Sequence, residues 1–179
     1  MLAVHTGIRQ GELLALKWTD VDLEAGKVGV KRTLTRESGH RSLGEPNTKG
    51  SRRTVKLTGT ATEALRAHLG RQMEDMDRLG DLYRDQGLVF TSDTGAPLNP
   101  SNVCNRNLRR LTGKAGLPMI RFHDLRHTCA TLLLSRNVHP KIVQEMLGHA
   151  TVAITLDTYS HVLPGMGDHA AAAMAATLP

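Results

Sequence analysis

Two-residue alternation of apolar side chains is confined to one stretch of this chain, residues 20–57, and helical spacing governs most of the sequence beyond it. That division limits any sheet to a few short strands and makes the rest helical. In DVDLEAGKVGVKRTL, Val21 and Leu23, then Val28 and Val30, alternate around an Ala25-Gly26 turn, and SRRTVKL alternates again at Val55 and Leu57. The expected fold class is therefore α+β, a mainly helical domain with a small three-stranded antiparallel sheet. A polar loop, roughly Glu37 to Gly50, is expected between the second and third strands.

The helical signals are local and ordered along the chain. Leu2 and Val4, a stop at Thr6-Gly7, and Leu13, Leu14 and Leu16 read as the last turn of one helix followed by a short second one. Thr60 and Glu63 have capping-box spacing ahead of Ala61, Leu65, Leu69, Met73 and Met76, which repeat at helical intervals to about Leu79. GLVFTSDTG reads as a short buried segment and a turn. Ser101 is expected to open a helix through Val103, Leu108 and Leu111, ended by Gly116-Leu117-Pro118. A helix follows His123, another starts at Pro140 and stops at Gly148, Thr151 caps a short one, and Asp168 caps an Ala-rich last helix.

At 179 residues the chain fits one domain, and with aromatics at 3% the core must be aliphatic. Tyrosine is scarce, which draws attention to Tyr159, one of two, among Thr155, Asp157, Thr158, Ser160 and His161. Cys104 and Cys129 have no CxxC partner and read as small buried hydrophobes of a reducing cytoplasm. No apolar run approaches a membrane span, and no leader is evident. The formal charge of +6 is clustered. Residues 31–56 hold Lys31, Arg32, Arg36, Arg41, Lys49, Arg52, Arg53 and Lys56 against Glu37 and Glu45, and residues 101–126 hold six cations against Asp124. Such clustering fits a polyanion partner, and equally a solvated basic face.

Four places combine titratable side chains with turn residues. In TGIRQGE, a glycine turn brings Arg9 to a helix start with Glu12 three positions on, a pair that also makes an ordinary helical ion pair. Lys49 stands on the polar loop, where most lysines are solvated. HDLRH presents His123, Arg126 and His127 within one turn. That spacing is superficially like the His-Glu-x-x-His zinc helix, but Arg126 on the ligand face would repel a dication and Asp124 is one methylene short of the required base. His149 follows Gly148 at a helix end, where a histidine is commonly only a dipole partner, and Tyr159 comes ten residues later. Together these form a set able to handle a phosphodiester without a metal. Two guanidiniums grip non-bridging oxygens, an imidazole accepts the phenol proton, a lysine protonates the leaving oxygen, and the tyrosine attacks.

These motifs, in this order from Thr6 to about Pro164, resemble the catalytic domain of the tyrosine recombinase, or phage integrase, family. Arg9 and Glu12 in TGIRQGE, Lys49 in NTKGSRRTV, His123 and Arg126 in HDLRHT, His149 in LGH and Tyr159 in LDTYSHV fill that family's motif positions. The resemblance implies site-specific DNA strand cleavage and religation through a 3′-phosphotyrosine, with no metal or other cofactor. Arg9 and Arg126 would bind the phosphate, Lys49 protonate the 5′ oxygen, and His123 act as base toward Tyr159. His149 would donate to a phosphate oxygen and Glu12 orient its neighbours. Tyr159 would stand in a polar, partly exposed setting so as to reach DNA. Arg52, Arg53, Arg106, Arg109 and Arg110, from the two basic clusters, are the expected DNA contacts. Implied partners are double-stranded DNA, other recombinase protomers in a tetramer on DNA, and accessory DNA-bending proteins, in a cytoplasmic, nucleoid-associated setting with no membrane. Residues 1–179 then read as a catalytic domain truncated at its N-terminus, lacking the family's DNA-clamping domain. Two other readings predict different behaviour: a catalytically impaired DNA-binding remnant, and a metal-dependent hydrolase on His123 and His127.

Overall fold

The structure is a computed structural model, and it describes residues 1–37, 40–44, 52–160 and 166–177. Helix α1 (Leu2–Thr6) and helix α2 (Gln10–Leu14) lead into a 3₁₀ turn, Trp18–Asp20. Strands β1 (Val21–Asp22), β2 (Lys27–Val30) and β5 (Arg53–Lys56) form the expected antiparallel sheet in the order β1-β2-β5, with Val28 opposite Val21 on one side and Val55 on the other. Val28, Val30 and Val55 are buried, as a one-sided alternating pattern requires.

A second sheet forms between β2 and β5, its second strand lying in the segment expected to be a polar loop. Strands β3 (Thr33–Glu37) and β4 (His40–Gly44) pair antiparallel as a separate two-stranded hairpin. Its apolar content is low, so alternation gave no signal there. Backbone pairing builds it, together with Thr35, whose hydroxyl meets that of Ser42 across the strands at 3.1 Å.

Helix α3 (Gly59–Leu79) begins two residues earlier than the capping box suggested, because Thr58 caps it by accepting from the Ala61 amide. Ala61 and Leu65 face the core, but Met73 is exposed and Gln72 takes the inward place. Its amide accepts from Trp18 Nε1 at 2.8 Å and donates to the Tyr83 hydroxyl and the Leu88 carbonyl, which satisfies a buried polar group on every side. GLVF does contain a buried pair, Leu88 and Val89.

The next helix opens at Pro100, capped by Asn99 where Ser101 was expected. It runs as α4 (Pro100–Asn102), a π-helical stretch (Val103–Leu108) and α5 (Arg109–Lys114). Helices α6 (Phe122–Leu134), α7 (Pro140–Leu147) and α8 (Val152–Tyr159) follow, with Pro140 at the first turn of α7 and the Thr151 side chain capping α8. Helix α9 (Met166–Thr177) already contains Asp168, so that residue is not its cap.

Two apolar clusters result. One joins α1, α2 and the sheet to α3 through Leu2, Ile8, Leu13, Val28, Val55 and Leu65, and the other joins α6, α7 and α8 through Ala130, Leu134, Val143, Leu147 and Tyr159. Each fully buried Leu or Val in them contributes roughly 1.5–3 kcal/mol. Both cysteines are free thiols, and no helix is long and apolar enough to cross a membrane.

Candidate active site

Gly7, between Leu2 and Ile8 of the first cluster, is where that cluster meets Leu147 of the second. This residue ends α1 at φ 62°, and a Cβ there would lie 2.4 Å from Leu147 Cδ2 and 3.5 Å from Cys129 Sγ. Only glycine combines the left-handed turn with so close an approach of α6 and α7. The turn aims the Gly7 carbonyl at Arg126 and sets Arg9 at the N-cap of α2.

Three guanidiniums then meet the C-terminal end of α7. Arg53 Nε donates to the Met146 carbonyl at 2.6 Å, Arg126 Nη1 to that of Leu147 at 2.8 Å, and Arg9 Nη2 to that of Gly148 at 3.4 Å. The last carbonyls of a helix lack intrahelical donors and carry negative partial charge, so this terminus is a natural anchor for cations. Arg126 also donates to the Gly7 carbonyl at 2.7 Å. Its Nη2, buried, has no hydrogen-bond partner among the described residues.

Glu12 balances this cluster. Arg53 donates to both carboxylate oxygens, at 3.0 and 2.9 Å, while Arg9 contributes its backbone N–H at 2.9 Å and Nη1 at 3.0 Å. Burial alone would raise the Glu12 carboxyl, but the hydrogen bond and charge of Arg53, then the Arg9 backbone and guanidinium, hold it below its ordinary value. Arg126 shows the converse: burial first, then the charges of Arg9 and Arg53, bring it down to about 10. It remains a cation at neutral pH.

Arg9, His123 and Arg126 line a cavity of about 240 Å³ whose rim carries Arg121. His123 is exposed, and partial burial together with His127, Arg126, Arg9 and Arg121 lowers its pKa. His149, just beyond the left-handed Gly148 cap of α7, is pushed down to about 4 by burial and then by Arg126, Arg9, Arg53 and His123. At neutral pH it is an uncharged imidazole. Its Nδ1 meets the hydroxyl of fully buried Thr155 at 2.9 Å, so where Thr155 donates, the proton sits on Nε2.

Tyr159 departs from the sequence expectation. It is 3% exposed, with its ring among Ala130, Leu134, Val143 and Leu147. Thr155 and Tyr159 are the two buried residues of α8 and lie one turn apart on its inner face, which overrides the polarity of their sequence neighbours. The hydroxyl meets Nδ1 of His127 at 2.8 Å, where His123 was the expected partner. His123 is one ring further out, edge-on to His127 with centroids 4.8 Å apart. Burial raises the phenol pKa, partly offset by Arg126. Tyr159 thus lies within electrostatic reach of the guanidinium that lines the cavity.

Of the residues singled out in the sequence, Arg9, His123 and Arg126 come together at the cavity, Glu12 ties Arg9 to the cluster, and His149 and Tyr159 lie within electrostatic reach of Arg126. Lys49 lies outside the described residues. Arg52, Arg106, Arg109 and Arg110 are exposed, as a DNA-facing role requires. Arg53 is not: its side chain is 6% exposed and committed to Glu12 and α7, so it is corrected from a DNA contact to an internal clamp. Its position in β5 carried the signal, since Arg53 and buried Val55 are two apart and share a strand face. His127 was weighed only as a metal ligand. Among the described residues no group of three or more His, Cys, Asp and Glu is placed to hold a metal ion.

The Phage integrase family description matches residues 1–165. The chain is 39% identical over 176 residues to a tyrosine recombinase XerC-like protein of Caldanaerobacter subterraneus subsp. tengcongensis, covering 92% of this chain and 45% of the relative. It is 30% identical to the ICEBs1 integrase of Bacillus subtilis, covering 91% and 44%. The chain therefore spans less than half the length of these relatives. Among solved structures, XerA recombinase superposes with a TM-score of 0.69 at 27% identity over 99% of this chain and 56% of the other. The integrase of transposon Tn1549, in complex with transposon right end DNA, superposes at 0.76 over 97% and 56%, and at 24% identity this likeness speaks for the fold alone. A fold shared with recombinases and a family match across residues 1–165 lead to one assignment: the chain belongs to the phage integrase family.

Proposed function

We propose that this chain is the catalytic domain of a site-specific DNA recombinase that cleaves and rejoins strands through a 3′-phosphotyrosine. The observation that carries the reading is the convergence of Arg9 and Arg126, from α2 and α6, on one cavity beside the end of α7. Arg126 brings to it a buried donor atom with no partner among the described residues. A phosphate fits this chemistry: two guanidiniums bind its non-bridging oxygens and offset the charge that grows in a pentacoordinate transition state. His149, neutral and with Nε2 as donor, hydrogen-bonds a phosphate oxygen without taking up a second proton at neutral pH. Glu12 and Arg53 hold the cationic cluster in register from behind.

Tyr159 supplies the nucleophile. Its hydroxyl gives its proton to a neighbouring imidazole and its oxygen bonds to phosphorus, the P–O5′ bond breaks, and the departing oxygen takes a proton from Lys49, which the family resemblance assigns to that task. Attack of a 5′-hydroxyl on the phosphotyrosine reverses the sequence and rejoins DNA. Double-stranded DNA lies across the exposed Arg52, Arg106, Arg109 and Arg110 and a basic groove of about 590 Å³ lined in part by Lys31, Arg32 and Arg52. Further protomers and accessory proteins complete the synapse.

A nicked suicide duplex, whose cleaved end diffuses away, tests the reading. A covalent adduct that persists in EDTA and disappears in Tyr159→Phe supports it. Salt-sensitive DNA binding with no adduct supports a non-catalytic remnant, and cleavage abolished by a chelator rejects the mechanism.

A further inference from the structure

We infer that His127 is a catalytic residue, the group that holds the Tyr159 hydroxyl and takes its proton as the phenol oxygen attacks phosphorus. The inference rests on the strand-transfer reading above and names a residue that this reading leaves unused. Its basis is geometric. The Tyr159 oxygen and His127 Nδ1 are 2.8 Å apart, the only hydrogen bond of that hydroxyl among the described residues. The rings meet edge-on with centroids 5.7 Å apart. An attacking phenol needs an acceptor within hydrogen-bond reach, and geometry ranks ahead of acidity in choosing it.

The neighbouring groups are otherwise engaged. His149 presents Nδ1 to Thr155, and His123 faces the cavity beside Arg9 and Arg126. Cys129, buried against the same helix, is a thiol pushed up to about 11 and stays protonated. His127 also directly follows Arg126 on α6. The Tyr159 oxygen and the Arg126 guanidinium interact electrostatically, so the phenol held on His127 is within reach of that charge.

The step balances. The Tyr159 O–H bond breaks and its proton passes to Nδ1, and the oxygen lone pair forms the O–P bond. The P–O5′ pair leaves on the 5′ oxygen, which is protonated by the acid of the main reaction. On rejoining, the imidazolium returns its proton to the phenol as that oxygen departs. This arrangement requires the resting His127 to carry its proton on Nε2.

The test compares the unaltered chain with His127→Asn, whose side-chain oxygen can still accept a hydrogen bond but is not a base. On the nicked duplex, His127→Asn is expected to form the phosphotyrosyl adduct about 100-fold more slowly. A fluorinated tyrosine at position 159, whose phenol ionises more readily, is expected to recover most of that loss. Adduct formation by His127→Asn at the unaltered rate or faster overturns the inference, the faster case identifying His127 as a lock on the resting phenol. An equal response to fluorination in both backgrounds overturns it too, since a purely structural role predicts that. Imidazole ¹⁵N shifts read the hydrogen bond independently of activity. Protonated Nε2 with an accepting Nδ1 supports the inference, and a protonated Nδ1 overturns it while leaving the strand-transfer reading intact. Absence of an adduct from the unaltered chain removes that reading, and the base role with it.

Discussion

The guanidinium cluster and the tyrosine pocket both lean on α7 and are built on opposite principles. Around the α7 C-terminus every described cation is held by several hydrogen bonds, and the carboxylate of Glu12 alone accepts four. The Tyr159 ring is held by apolar contact, and among the described residues its polar atom has a single bond, to His127. Binding groups for an anion must be fixed before the anion arrives, because reorganising them during reaction would cost the stabilisation they supply. The structure fixes its guanidiniums by directional hydrogen bonds and its buried phenol ring by apolar packing.

Removing the counter-charge should break this contrast most severely. Glu12→Ala leaves Arg53 and Arg126 buried without their carboxylate, and loss of about 3–5 kcal/mol is expected in urea or guanidinium unfolding. Arg53→Ala should fall in the same range, because Glu12 is 3% exposed and loses its bidentate partner. Tyr159→Phe is the counterpart from the other region. It keeps the apolar contacts and deletes one hydrogen bond, so stability should change by about 0.5–1.5 kcal/mol while adduct formation disappears.

Acidity sharpens the comparison further. The folded pKa of His149, about 4, lies below its ordinary 6.5, so between those values the unfolded chain binds a proton that the folded chain does not. Stability should therefore rise with pH across that window and fall on acidification through it. In melts from pH 6.5 down to 4, His149→Gln should show a shallower decline in Tm than the unaltered chain; an unchanged slope would place the proton uptake elsewhere.

The smallest expected effect lies outside both regions. Arg109→Ala should alter stability by less than about 0.5 kcal/mol, since this residue is exposed. It should weaken DNA binding across sequences and reduce the slope of log affinity against log salt by about 1. Arg53→Ala should show the reverse pattern, with stability lost and the salt slope unaltered. Two arginines that look alike in a charge count are thereby separated by experiment.

How far the sequence discloses this design depends on whether each feature is local. The β1-β2-β5 sheet and the starts of α7 and α8 follow from alternation, Pro140 and Thr151, all readable within a few residues. The β3–β4 hairpin does not, because its pairing is made by backbone and hydroxyl groups with little apolar content. Caps shift by two positions, Thr58 for Thr60 and Asn99 for Ser101, since several polar residues compete at each helix start and tertiary fit selects among them. At the site, Arg9, Glu12, His123 and Arg126 were legible through motif order. Burial of Tyr159 was not, because Asp157, Thr158 and Ser160 around it are exposed while the helix turns Thr155 and Tyr159 inward. His127 was visible as part of a histidine pair, but only the placement of α8 against α6 gives it a partner.

The most direct measurement is identification of the side chain that becomes joined to DNA. After reaction with the nicked duplex and nuclease trimming, peptide mass mapping should find a nucleotide remnant on Tyr159 alone, in a chain whose other tyrosine is Tyr83. A remnant on Tyr83 or on any other residue, or efficient cleavage with no linked peptide, would contradict the account.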